Sequence, residues 1–166
     1  MFLLSHKTHG EALDRLMTLC KQHQLTIATG ESCTGGILGG ILTYLPGSSS
    51  VYLGGVNAYS NQTKRQLLGI PTLTIEKHGA VSKQVAEAMA RGARDLFSST
   101  YGIAVTGIAG PDGGTPTKPV GTIWLAWAGD TFVESKVLNL RGDRHENRSE
   151  TCLVAIESLS QLIERG

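Results

Sequence analysis

With 166 residues, 40% of them hydrophobic and 17% charged, the chain is sized for one globular domain, 1–166, whose core needs no covalent staples. A net charge of +1, with dispersed Lys and Arg and no aromatic-basic interleaving, excludes a strong field for nucleic acid or an anionic membrane. Cys20, Cys33 and Cys152 are odd in number and lack C-x-x-C spacing, which argues against a disulfide framework or a zinc site and for a reducing compartment. The first ten residues hold only Phe2-Leu3-Leu4 as an apolar run, too short for a signal peptide. No stretch approaches the ~20 apolar residues that span a bilayer. A cytoplasmic protein is expected.

The first predicted element is a helix over 11–23, with Leu13, Leu16, Met17 and Cys20 on one face. A strand is expected at 25–29. A helix over 35–45 follows, stopped by Pro46-Gly47. The small residues 47–50 read as a turn, 51–59 as a second strand, and 61–68 as a short helix ended by Gly69. The segment 71–79 reads as a turn of helix and a loop. Ser82 is a plausible N-cap for a helix reaching Leu96. A third strand at 101–106 runs into Gly107-Ile108-Ala109-Gly110, and 111–119 is a polar loop. Strands at 120–128 and 131–140 form a hairpin across Gly129-Asp130. Asp143 and Glu146 form a capping box at the start of the last helix, whose apolar face holds Cys152, Ala155, Ile156, Leu159 and Ile163.

Helices between the early strands imply parallel pairing, and the late hairpin turns one strand antiparallel. The expected fold is α/β, a three-layer α/β/α sandwich around a mixed five-stranded sheet.

Sites in such sheets gather at the carboxyl ends of the strands. Residues 31–36, 59–64 and 106–114 follow the first three strands. In the first, Ser32 and Cys33 stand where a strand gives way to a helix, and free amides there can hold an anion or stabilise an oxyanion. No Ser-His-Asp set is apparent among His6, His9, His23, His78 and His145. The G-x-S-x-G elbow fails because Thr34 follows Cys33. Lys64 is the better base, since a desolvated lysine loses its proton near neutral pH. The bland alternatives stand beside these: Ser32 as an N-cap, Cys33 as a core residue, Tyr59 as strand-end packing, Lys64 as a solvated helix residue. Ser48, Ser49 and Ser50 look like turn residues, although one could relay a proton between Ser32 and Lys64. Glycine spacing in 107–114 matches neither a dinucleotide fingerprint nor a P-loop. Arg141, Arg144 and Arg148 beside a helix start suit a phosphate, or else form a solvated basic face. Asp112, Asp130, Asp143 and Glu31 form no recognisable metal-ligand set.

Taken in order, Glu31-Ser32-Cys33-Thr34-Gly35-Gly36, Pro46-Gly47-Ser48-Ser49, Tyr59-Ser60-Asn61 with Lys64, His78-Gly79-Ala80-Val81-Ser82, residues 107–114, Lys118-Pro119-Val120-Gly121-Thr122 and Gly142-Asp143-Arg144 resemble the CinA C-terminal-domain family over about residues 10–164. The resemblance implies the α/β fold above and a nicotinamide-nucleotide amidase, which turns nicotinamide mononucleotide into nicotinate mononucleotide and ammonia. It implies Ser32 as nucleophile, Lys64 as base and Ser49 as intermediary, with Tyr59 and Arg144 in substrate binding. The backbone amides of Cys33, Thr34, Gly35 and Gly36 at that corner are expected to hold the oxyanion. Asn61, Thr106, Gly107 and Gly110 line the nucleotide, and Arg144 with Arg148 holds the phosphate. No metal or cofactor is required. The partner is a small-molecule nucleotide, with no nucleic acid and no membrane, and a homodimer or higher homo-oligomer is open. Two alternatives are a nucleotide-binding regulatory module without turnover and an amidase for another small amide. Many relatives carry a larger N-terminal domain associated with nucleotide-pyrophosphate hydrolysis, an activity not carried over to these residues. One departure from the family is Gly30, where Ala is usual.

Overall fold

The computed structural model describes residues 8–166, so the apolar run Phe2-Leu3-Leu4 lies outside the described residues. The order of elements is α1 (Thr8–Gln22), β1 (Ile27–Glu31), α2 (Ile37–Leu42), a 3₁₀ turn (Ser48–Ser50), β2 (Tyr52–Asn57), α3 (Asn61–Leu68), α4 (Thr72–His78), α5 (Lys83–Phe97), β3 (Tyr101–Gly107), β4 (Thr122–Ala128), β5 (Val133–Asn139) and α6 (Arg144–Arg165). The five strands form one sheet in the order β2-β1-β3-β4-β5. β1 pairs in parallel with β2 and β3, and β4 alone runs against its neighbours. This is the expected mixed sheet with one reversed strand.

Helices cover both faces, and side-chain size decides which helices lie where. Ile103, Val105, Ile123, Leu125 and Trp127 point to the side covered by α1, α2 and α6. The alternate positions Ala104, Ala126 and Ala128 point to the side of α3, α4 and α5. Small residues let α5 come close. A Cβ on Gly102 would lie 2.0 Å from the Ala90 carbonyl oxygen, so only glycine fits there. Gly30 sits under the same helix: a Cβ would be 3.2 Å from both Leu68 Cδ1 and the Met89 carbonyl oxygen, so these neighbours fill the space an alanine would take. No described helix is long and apolar enough to cross a membrane.

Element boundaries shift where backbone conformation overrides side-chain pattern. α2 starts at Ile37 rather than 35, because Gly35 and Gly36 hold φ of 61° and 92°, outside the helical region. β4 starts at Thr122 rather than 120, after Gly121 at φ 89°. Residues 72–78 form a full helix, α4, held to the core by Ile75. The caps are as expected: Ser82 accepts from the Val85 amide, and Asp143 and Glu146 make the capping box of α6.

The topology gathers the turns after β1, β2 and β3 at one end of the sheet. The start of β4 and the end of β5 lie there too, since Thr122 pairs with Asn139 and Gly107 with Ile123. The start of α6 is thereby delivered to the same end.

Candidate active site

Ser32 is the first residue past β1, and its amide still bonds the Val105 carbonyl at 3.0 Å, so β3 holds it in place. Lys64 comes from α3, one turn beyond the Ser60 N-cap. Its side chain is 1% exposed, an uncommon state for a lysine. Its Nζ donates to Ser32 Oγ at 3.0 Å and to the Ala58 carbonyl at 2.7 Å. Among the described residues no carboxylate bonds Nζ, and burial lowers the Lys64 pKa. The two residues are 32 positions apart in sequence and in direct contact in space.

Cys33 also borders the cleft but is nearly enclosed, and burial pushes its thiol up to about 12. At neutral pH it is a thiol, and the thiol form is a weak nucleophile.

Both residues open into a cleft of about 290 Å³. Its lining also includes Tyr59, Asn61, Thr106, Gly107, Gly110, Asp112 and Arg144. Thr106 donates to the Ala80 carbonyl at 2.8 Å, tying β3 to the segment before α5. Arg144 spans the mouth: Nη1 donates to the Gly110 carbonyl at 2.8 Å and Nη2 to the Tyr59 hydroxyl at 3.2 Å. Tyr59 is well exposed there.

Five of the residues expected in the site do not line this cleft: Thr34, Gly35, Gly36, Ser49 and Arg148. Ser49 is exposed in the turn before β2, at the opposite end of the sheet, where the neighbouring Val51 carbonyl bonds Ile27 at the start of β1. Five strand residues at ~3.3 Å each separate that end from Ser32. A relay through Ser49 is incompatible with that position, and the direct Lys64–Ser32 contact leaves it no step to perform. The Gly36 amide is taken by Glu31 Oε2 at 3.0 Å, and the Gly35 amide by the Ser32 carbonyl at 3.1 Å. Only the amides of Cys33 and Thr34 in this turn are committed neither to a backbone carbonyl nor to Glu31. Arg148 donates from Nη2 to the Thr34 carbonyl at 2.7 Å, behind the turn. The start of α6 is likewise filled by its own carboxylate, since Asp143 accepts from the amides of His145 and Glu146. Arg144 is therefore the arginine that faces the cleft, without help from that helix end.

Sequence reasoning missed three supports. Glu31 is 2% exposed and serves α2 as a cap from within β1: Oε2 accepts from Gly36 and Leu38, and Oε1 from Gly39 at 2.8 Å. An acidic residue six places before a helix start was the available signal. Asn147 donates to the Ala109 and Gly142 carbonyls and accepts from the Gly142 amide, pinning the 107–110 loop to α6. Lys118 donates to the His78 and Val81 carbonyls, holding 78–81 beside the cleft. Neither has a local sequence signature.

A family model for the CinA C-terminal domain matches residues 10–163. A CinA-like protein of Gemmatimonas aurantiaca is 47% identical over 161 residues, which are 95% of this chain and 38% of that protein. One from Thermotoga neapolitana is 42% identical over 155 residues, 91% of this chain and 37% of that protein. The chain thus spans under two fifths of the curated relatives it matches. Among solved structures, the competence/damage inducible protein CihA from Agrobacterium tumefaciens superposes with a TM-score of 0.93 at 39% identity, covering 96% of this chain and 98% of that one. A CinA superfamily protein from Escherichia coli does so with a TM-score of 0.90 at 31% identity, covering 98% and 94%. Motif order, fold and these likenesses agree: the chain belongs to the CinA C-terminal-domain family.

Proposed function

We propose that the cleft hydrolyses the carboxamide of nicotinamide mononucleotide to nicotinate mononucleotide and ammonia, through an acyl-enzyme on Ser32. The observation that carries this reading is a buried lysine 3.0 Å from a serine hydroxyl at the floor of an open cleft. With the amine neutral, the same contact has the hydroxyl donate to Nζ, so Lys64 is placed to take the proton as Ser32 Oγ attacks the carboxamide carbon. The Ala58 carbonyl keeps Nζ aimed at Ser32. The Cys33 amide, at the cleft, receives the negative oxygen, and one such donor contributes on the order of 3 kcal/mol in other hydrolases. The C–N bond then breaks, Lys64 returns its proton to the departing nitrogen, and ammonia leaves. Water, deprotonated by Lys64, cleaves the ester and frees the acid and Ser32. The sum is amide plus water to acid plus ammonia, with no metal or redox partner required.

Arg144, at the mouth, is the group for the substrate phosphate, exchanging its bonds to Gly110 and Tyr59 for phosphate oxygens. Asn61 and the 107–110 loop line the nucleoside. A reducing, cytoplasmic setting suits three free, buried cysteines. The test is ammonia release from nicotinamide mononucleotide by purified protein. Release that Ser32→Ala abolishes supports the reading. Full activity in Ser32→Ala, or none in the parent protein, sinks it.

A further inference from the structure

The turn that follows Ser32 is held from two sides by opposite charges. On one side the Glu31 carboxylate gathers the amides of Gly36, Leu38 and Gly39. On the other, Arg148 Nη2 donates to the Thr34 carbonyl at 2.7 Å. The fit is close, since a Cβ on Gly35 would lie 3.3 Å from that same Nη2. Arg148 Nε is buried and bonds no acceptor among the described residues, so this edge of the guanidinium faces protein and not the cleft. Arg148 is absent from the cleft lining, whereas Arg144, one turn earlier on α6, is part of it. A phosphate at Nη2 of Arg148 would have to displace the Thr34 carbonyl that this nitrogen already holds.

We propose that Arg148 is a positioning residue that, by holding the Thr34 carbonyl, fixes the peptide planes after Ser32 so that the Cys33 amide faces the reacting carbonyl oxygen. This rests on the amidase reading above. It replaces a phosphate-binding role for Arg148 with one in the transition state. The Thr34 carbonyl shares its peptide plane with the Gly35 N–H, which bonds the Ser32 carbonyl. That carbonyl shares its plane with the Cys33 N–H, so loss of the Arg148 anchor passes along this chain and misaims the Cys33 donor. Ground-state binding of the nucleotide, which does not use this amide, is left as it was.

The test compares Arg148→Met, which keeps the stem and removes the donor, with the parent protein. With nicotinamide mononucleotide, kcat falls about 10²-fold while KM stays within about threefold. Calorimetric binding of nicotinate mononucleotide stays within about threefold as well. Arg148→Lys, with one donor in place of a planar fork, recovers about tenfold of the lost kcat. Weakening of product binding by about tenfold or more, whatever happens to kcat, assigns Arg148 to the phosphate and overturns the proposal. Unchanged kcat in Arg148→Met overturns it too. Should Arg148→Met not fold, Arg148→Lys goes through the same measurements: kcat about tenfold below the parent with unchanged product binding upholds the proposal, and weakened product binding overturns it. Parent protein that releases no ammonia sinks the amidase reading alone. Amide hydrogen exchange over residues 33–36 then decides: about tenfold faster in Arg148→Met upholds the anchor, and unchanged exchange removes it.

Discussion

Two serine-bearing turns flank the same pair of strands at opposite ends of the sheet. The turn after β1 carries Ser32, and the turn before β2 carries Ser48, Ser49 and Ser50. Both are short and rich in small residues. Ser32 is 9% exposed and in contact with a buried amine. Ser49 is exposed, and the neighbouring Ser50 hydroxyl donates back to the Gly47 carbonyl of its own turn at 3.0 Å. A serine hydroxyl is a poor nucleophile by itself. The difference between these turns is made by what surrounds them: a lysine stripped of water, an open cleft, and the Cys33 amide at its edge, bonded neither to a backbone carbonyl nor to Glu31. Parallel pairing of β1 and β2 puts the end of one strand and the start of the other at opposite edges, so only one of the two turns can share the cleft.

The strongest test of that contrast is Lys64→Met, which keeps the stem and removes the amine. It should lower kcat by about 10⁴-fold, with the fold retained by circular dichroism. Activity within tenfold of the parent would dissolve the contrast. A second test concerns the carboxylate behind the turn. Glu31→Gln leaves one oxygen to accept but turns an NH₂ toward amides, and should destabilise the protein by roughly 2–3 kcal/mol in a urea titration. Arg144→Ala should raise KM for nicotinamide mononucleotide by about tenfold or more with kcat changed far less, because the phosphate lies away from the reacting bond.

The pH profile sharpens the same comparison. Lys64 has its pKa lowered by burial, and in the proposed mechanism the neutral form is the base. kcat/KM should therefore climb about tenfold per pH unit and level off at a pH below the usual lysine value, because less alkali is needed to neutralise Lys64. Stability follows the same sign. In the window between the lowered folded value and the unfolded value of 10.5 the unfolded chain binds the extra proton, so Lys64's contribution to stability improves as pH rises through that window. A rate that falls with pH over the same range contradicts a neutral amine as base. The smallest effect is reserved for the other end of the sheet: Ser49→Ala should leave kcat/KM within about twofold and stability within about 0.5 kcal/mol. A hundredfold loss there would restore the relay that its position rules out.

Much of the fold was legible because its signals are local. Helical stripes such as Leu13-Leu16-Met17-Cys20, the caps Ser82 and Asp143, and the turn after Ala128 each depend on residues within one or two turns of one another. Boundaries were missed where glycine set the backbone, as at Gly36 and Gly121. At the site, the motif order pointed to Ser32 and Lys64, and both line the cleft. The roles expected of Ser49, Gly36 and Arg148 depended on which groups were already bonded to something else. Glu31 claims the Gly36 amide, the Thr34 carbonyl claims Arg148, and no spacing rule reveals either.

The sequence by itself determined the mixed α/β sandwich and the residues worth watching, since periodicity, caps and turn chemistry act over a few residues. Only the tertiary structure decided that Lys64 loses its water and meets Ser32, that Ser49 stays at the far edge, and that one of two neighbouring arginines faces the cleft while the other grips a carbonyl. Those outcomes depend on strand direction and helix placement. Burial, bond partners and the pKa of an amine are set by what the whole chain brings near, and that is not written in any stretch of it.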